Sequence, residues 1–180
     1  MNRLAIRLLT LAMLSLTLAA APVVTVVYAA PDNDPPPPPQ KKKKSSEARP
    51  GTEQTGIEQT AFADGYRAAY STIYDRHDYA SAIAQLKTLG RDDSAAVANL
   101  IGYSYRKLGD YQSSKVYYEL ALKDDPNHVR TWQYYGMWHV EQGNMLKAAD
   151  FLEKIEAICG GKSCKEYQDL KGGMEGTVTY

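Results

Sequence analysis

Two cysteines, three histidines, two tryptophans and two phenylalanines are all that 180 residues contain of these types, and 21 basic residues cancel 21 acidic ones. These shortages exclude several functions. With no excess of either sign, no global charge points to nucleic acid or to an acidic partner. The two cysteines lie close together, but no histidine is near them in sequence, so they carry no zinc signature, and no nucleophile elbow, phosphate loop or EF-hand loop is present. His77 falls in an expected helix-pair turn, His128 at a helix start and His139 at a core-type position, so packing is the expected role of His139. The chain is therefore read as a non-enzyme with no cofactor and no metal.

What is abundant is tyrosine, at 14 residues, and its distribution follows a change in composition along the chain. Arg3 and Arg7 precede an apolar run from Leu8 to Leu18, and Val27-Tyr28-Ala29 suits the small-residue rule for export cleavage. Residues 1–29 are expected to be a signal peptide, cut after Ala29 or, alternatively, Ala30. The apolar character continues through Val23, Val24, Val26 and Val27, so an uncleaved anchor in an inner membrane is the alternative. In that case alone the chain would touch a membrane. Residues 30–60 read as a disordered linker. Pro35–Pro39 should form a stiff polyproline rod of about 15 Å, and Lys41–Lys44 repel one another. A solvated spacer is the first reading of those lysines, and contact with an anionic surface the second.

From Ala61 the apolar residues take up helical spacing. Gly109-Asp110 and Gly143-Asn144 lie 34 residues apart, each between two helical patterns. Aligned on that period, Ala98, Ile101, Gly102, Tyr105, Gly109, Tyr111, Ser114, Tyr118, Ala121 and Pro126 fall opposite Trp132, Tyr135, Gly136, His139, Gly143, Met145, Ala148, Leu152, Ile155 and Gly160. This pattern resembles the tetratricopeptide repeat over residues 95–128 and again over 129–160, without the final proline. A more divergent copy places Tyr66, Ala69 and Tyr70 on a first helix and Ala82, Ile83, Leu86 and Leu89 on a second. The resemblance implies an all-α fold, an α-solenoid of three helix pairs at 61–93, 94–127 and 128–158. Gly102 and Gly136 cost helix stability, which suits close approach of another helix. Ser114 and Ala148 are the expected neighbours. Asp92-Asp93 and Asp124-Asp125 fall in inter-repeat turns and should cap the helices that follow.

The third pair would leave an apolar face, and residues 159–171 can cover it with a short helix carrying Tyr167 and Leu170. In an exported chain the spacing of Cys159 and Cys164 favours a disulfide, with free thiols or a redox or metal role as alternatives. The tail, 172–180, is expected to be disordered. The run from Ile158 to Leu170 resembles the ends of small exported tetratricopeptide proteins of alpha-proteobacteria, which implies a bacterial periplasm.

Stacked pairs of this kind line a concave face with their first helices. The residues expected there are Arg67, Ser71 and Tyr74 in the first pair, Asn99, Tyr103 and Arg106 in the second, and Arg130, Gln133, Tyr134 and Met137 in the third. Arg, Tyr, Asn and Gln suit recognition of another protein or peptide segment; an ordinary solvated helix face is the bland reading. Arg67 and Arg130 sit where some relatives clamp a C-terminal carboxylate, but Ser71 and Tyr134 replace other clamp residues, and no clamp is expected. The leading function is a scaffold or adaptor; a self-associating envelope module, and hence a homo-oligomer, is the alternative.

Overall fold

The computed structural model describes residues 27–28 and 52–179, with side chains described for 58–177. Seven helices follow one another: α1 (Thr52–Tyr74), α2 (Tyr79–Thr88), α3 (Ala95–Lys107), α4 (Tyr111–Asp124), α5 (Val129–Glu141), α6 (Met145–Cys159) and α7 (Lys165–Met174). They form three antiparallel pairs, α1–α2, α3–α4 and α5–α6, with α7 packed on both α5 and α6. The fold is an all-α solenoid. A two-residue parallel pairing joins β1 (Val27–Tyr28) to β2 (Val178–Thr179), Val27 opposite Val178. The expected signal segment 1–29 and linker 30–60 otherwise lie outside the described residues up to 51. Among described residues no helix is long and apolar enough to cross a membrane.

The same device starts every second helix. Asp78, Asp110 and Asn144 each accept a hydrogen bond from the backbone N–H three residues on, at Ser81 (3.1 Å), Ser113 (3.0 Å) and Lys147 (3.2 Å). Just before each cap the chain must reverse with a left-handed residue. Gly109 (φ 78°) and Gly143 (φ 73°) do this cheaply, whereas His77 does it at φ 54° in the first pair. That substitution is one reason the first repeat reads as divergent.

The inter-repeat acids cap differently from expectation. Neither Ser94 nor His128 makes a side-chain cap bond to α3 or α5. Instead Asp124, at the end of α4, reaches back to the N–H of Ala95 at 2.8 Å, capping the first helix of its own pair. The antiparallel pairing brings the end of α4 beside the start of α3, so the carboxylate sits at the positive end of that helix.

One apolar cluster runs the length of the array, from Tyr66, Ala69 and Ile73 through Leu100, Ile101 and Tyr118 to Phe151, Ile155, Tyr167 and Leu170. Gly102 lets α4 approach: a Cβ there would stand 2.8 Å from the Tyr118 ring and 3.3 Å from the Ser114 carbonyl oxygen. Gly136 behaves otherwise. A Cβ there would meet Leu170 of α7 at 2.5 and 2.8 Å, so its nearest neighbour is the capping helix and not Ala148. The counterpart of Tyr118 in the third pair is the shorter Leu152.

Both ends differ from the sequence expectation. Helix α1 begins at Thr52, nine residues before Ala61, because a run rich in Glu, Gln and Thr extends it; Glu58, Gln59 and Thr60 are all exposed. Helix α7 runs to Met174 in place of stopping at Lys171. Gly172 and Gly173 are buried within it, and close packing there offsets their poor helix propensity.

Candidate protein-binding face

The first helices α1, α3 and α5, continued by α7, form one layer of the solenoid, and the ten expected binding residues all lie in it. The structure divides them into an inner and an outer set. Asn99, Tyr103, Arg106, Gln133, Tyr134 and Met137 are buried, between 1% and 6% exposed. Arg67 is exposed and ion-paired to Asp64. Ser71, Tyr74 and Arg130 are half-buried, and the Ser71 hydroxyl donates to Asp75 at 2.6 Å.

The inner set is therefore corrected from groove surface to packing between first helices. Asn99 accepts a hydrogen bond from Thr131 at 3.1 Å, and Gln133 donates to Asp169 of α7 at 3.1 Å. Each amide thus ties one first helix to the next, and α7 acts as a fourth. The physical reason is that first helices in a short array pack against one another, so polar residues at that seam pair across it instead of facing solvent. The sequence reading missed Thr131 and Asp169, the partners. Neither residue lies at a position that the apolar period marks.

Arg106 is the most confined charge. Its Nη1 donates to the Tyr134 carbonyl at 2.8 Å, and the Glu141 carboxylate lies 3.7 Å from its Nε. Its guanidinium lies 5.4 Å and 5.8 Å from the ring centroids of Tyr103 and Tyr134. Burial opposes the charge but is outweighed, so the pKa of Arg106 is raised, and Glu141 is the charged group beside it while the phenols are neutral. Burial likewise pushes the Tyr118 phenol up to about 12, so it stays neutral.

Four tyrosines make a ladder across this layer. Ring centroids are separated by 4.4 Å from Tyr70 to Tyr74, 5.5 Å from Tyr74 to Tyr103 and 4.9 Å from Tyr103 to Tyr134. The Tyr74 and Tyr134 hydroxyls hydrogen-bond at 2.8 Å, linking the first pair directly to the third. Burial, then the neighbouring Tyr134, drives the Tyr74 phenol well above its ordinary range, so the link is between neutral groups. The rings are held in place by packing, which removes most of the rotamer entropy that a partner would otherwise have to freeze. Tyr70, Arg130 and Tyr134 each make additional interactions.

At the other end of the layer, Cys159 and Cys164 form a disulfide with Cα atoms 6.3 Å apart. Together with Glu166 they place three metal-type donors within 4.8 Å. A disulfide offers no thiolate, so this set does not fit a metal ion.

His139 lies among Tyr135, Trp138 and Phe151, with ring centroids 4.9 to 5.0 Å away. Burial, then Lys147 and Lys115, lowers its pKa below the usual 6.5. It packs as the counterpart of Tyr105.

Comparisons with known proteins agree with this geometry. Residues 95–128, which span α3, α4 and the turn after them, match the tetratricopeptide repeat family. The chain is 34% identical to uncharacterized protein ycf37 of Guillardia theta over 67 residues, 36% of this chain and 38% of that protein. It is 32% identical to tetratricopeptide repeat protein 12 of Mus musculus over 103 residues, 56% of this chain and 15% of that protein. The chain thus spans well under half the length of either relative. It carries a tetratricopeptide repeat within an all-α solenoid, an architecture that commonly mediates contacts between proteins.

Proposed function

We propose that this protein is a non-catalytic adaptor that holds a segment of another protein against its first-helix layer. The observation that carries the reading is the tyrosine ladder, fixed from Tyr70 to Tyr134 and bordered by Arg67, Ser71 and Arg130. Tyr and Arg on a rigid support are the residues that most often dominate interface energetics. The contact set differs from the one read off the sequence: the rim of Arg67, Ser71, Tyr70, Tyr74 and Arg130 meets the partner, and the buried residues hold the rim in place. Export to a periplasm is supported by the disulfide, which persists in oxidising compartments. To test the role, the full chain serves as bait in an envelope extract, and each captured protein is purified and titrated. A Tyr74→Ser/Arg130→Glu variant should lose at least tenfold in affinity with its helicity unchanged. Equal affinity would remove the reading.

Self-association is favoured by a different observation. Val116 on α4 and Leu146 on α6 are 61% and 85% exposed, the two most exposed large apolar side chains among the described residues. A concentration-dependent dimer abolished by Leu146→Asp would establish it. A chain monomeric at all concentrations would exclude it.

A further inference from the structure

We infer that the Cys159–Cys164 disulfide is a redox latch on the capping helix: a protein dithiol reduces it in the folded chain, and α7 then leaves the end of the array. The bond lies at the surface. Neither cysteine is buried, and Gly160, Lys162 and Ser163 between them are exposed. A thiolate can therefore reach a sulfur without prior unfolding of the chain.

The fold makes the two sulfurs unequal. Cys159 ends α6, at the negative pole of that helix, whereas Cys164 is the N-cap residue of α7. No side chain caps the first N–H groups of α7, so these groups and the helix dipole favour a thiolate at Cys164. The Glu166 carboxylate lies within 4.8 Å of both sulfurs, so it does not single out either. The thiol of lower pKa leaves faster, which directs attack to Cys159. The incoming thiolate bonds to the Cys159 Sγ, the Cys159–Cys164 bond breaks, and Cys164 departs as a thiolate that takes a proton from solvent. The second thiol of the dithiol then attacks the mixed disulfide and frees Cys159 as a thiol. The protein disulfide gains two electrons and two protons, and the dithiol is oxidised to a disulfide.

What the latch holds is a helix with little stability of its own. Helix α7 has 10 residues, Gly172 and Gly173 among them, too short and too rich in glycine to persist undocked. Docked, it buries Tyr167 and Leu170, and its Asp169 accepts a hydrogen bond from Gln133. Apart from the disulfide, only residues 160–163 join it to α6. There Gly160 and Gly161 take φ values of 71° and 156°, so the backbone can pivot once the ring is open. Loop-closure entropy for a ring of this size favours the docked state by a factor of about thirty, which reduction removes. Release of α7 bares Gly136 and the Gln133 amide on α5, where Leu170 and Asp169 had stood.

The test uses the full chain with dithiothreitol as the dithiol, and none of its readouts involves a partner, so it stands apart from the adaptor role. Below the urea unfolding transition the rate of reduction should not change with urea. A rate that climbs with urea would mean that only the unfolded chain is reduced, which overturns the latch. Brief treatment with reduced glutathione, acid quenching and mass spectrometry should find the mixed disulfide on Cys159; its presence on Cys164 would overturn the order of attack. In the reduced chain, and equally in Cys159→Ser/Cys164→Ser, the α7 amides should exchange about thirtyfold faster than in the oxidised chain and faster than those of α3. Reoxidation should restore the protection of the unsubstituted chain. An unchanged α7 rate, or α7 amides that exchange no faster than those of α3, would show that the cap opens only with the whole array and would overturn the proposal.

Discussion

The contact between Gly136 and Leu170 decides whether the capping helix docks, and its strength can be worked from the structure. In Gly136→Ala the new methyl would stand 2.5 and 2.8 Å from the two Leu170 methyls and 3.3 Å from its Cγ. Leu170 is fully buried, so its methyls must yield by changing rotamer within the core or by shifting α7. Overpacking of this kind costs about 1 to 3 kcal/mol, and replacing a helical glycine by alanine returns about 1 kcal/mol. The net loss should therefore fall between zero and about 2 kcal/mol. Leu170→Ala empties the site and should cost about 2 kcal/mol or more. In the double variant the new methyl enters the space that Leu170 leaves. Its loss should be smaller than the two single losses together by about 1 to 2 kcal/mol. Urea unfolding of the four proteins, followed by far-UV circular dichroism, gives the cycle. Trypsin cleavage at Lys165 or Lys171 reports whether α7 has undocked. Losses that add within about 0.5 kcal/mol would refute the assignment of Gly136 to the cap.

Four further outcomes are expected. Reduction of Cys159–Cys164 opens a ring of six residues and should lower stability by about 2 kcal/mol, read as a lower Tm with reductant; alkylation of the denatured, non-reduced protein should label neither cysteine. Asp124→Ala should cost about 1 kcal/mol by uncapping α3, and amide exchange should rise at the start of α3, not of α5. His77→Gly should leave Tm unchanged or raise it by an amount corresponding to less than about 1 kcal/mol, since relief of a left-handed non-glycine residue is partly offset by the entropy of glycine; a clear fall in Tm would contradict the turn geometry. His128 and His139 are both held below 6.5, chiefly by burial, so the unfolded chain binds more protons there. Stability should accordingly be full above pH 6.5 and fall as the pH drops through the lowered values. His139→Tyr, which restores the residue found at Tyr105, should flatten that acid limb of a Tm-against-pH curve.

Much of the fold was legible because repeat periodicity is a redundant signal. The 34-residue spacing of Gly109 and Gly143 marked both turns, and Ser94 and His128 do precede α3 and α5. The capping pair Tyr167 and Leu170 was readable from their spacing, and both are buried. The binding face was less legible. Pattern alone tells which helix face a residue occupies, not what stands opposite. Asn99 and Gln133 looked like surface amides, yet Thr131 and Asp169 face them from neighbouring helices. The role of Asp124 was hidden for the same reason, since its cap bond crosses 29 residues of sequence. The extension of α1 to Thr52 was missed because an exposed polar helix gives no apolar period.

The central claim is that the rim of the first-helix layer binds a protein segment while the buried tyrosines hold it in place. The most direct measurement is the affinity of one purified, captured partner for the full chain, for Tyr74→Ser/Arg130→Glu and for the second-helix control Val116→Asp/Leu146→Asp. The account predicts at least a tenfold loss for the first variant, within unchanged circular dichroism, and an affinity within twofold of the parent for the control. A partner released by the second-helix variant and retained by the rim variant would contradict it.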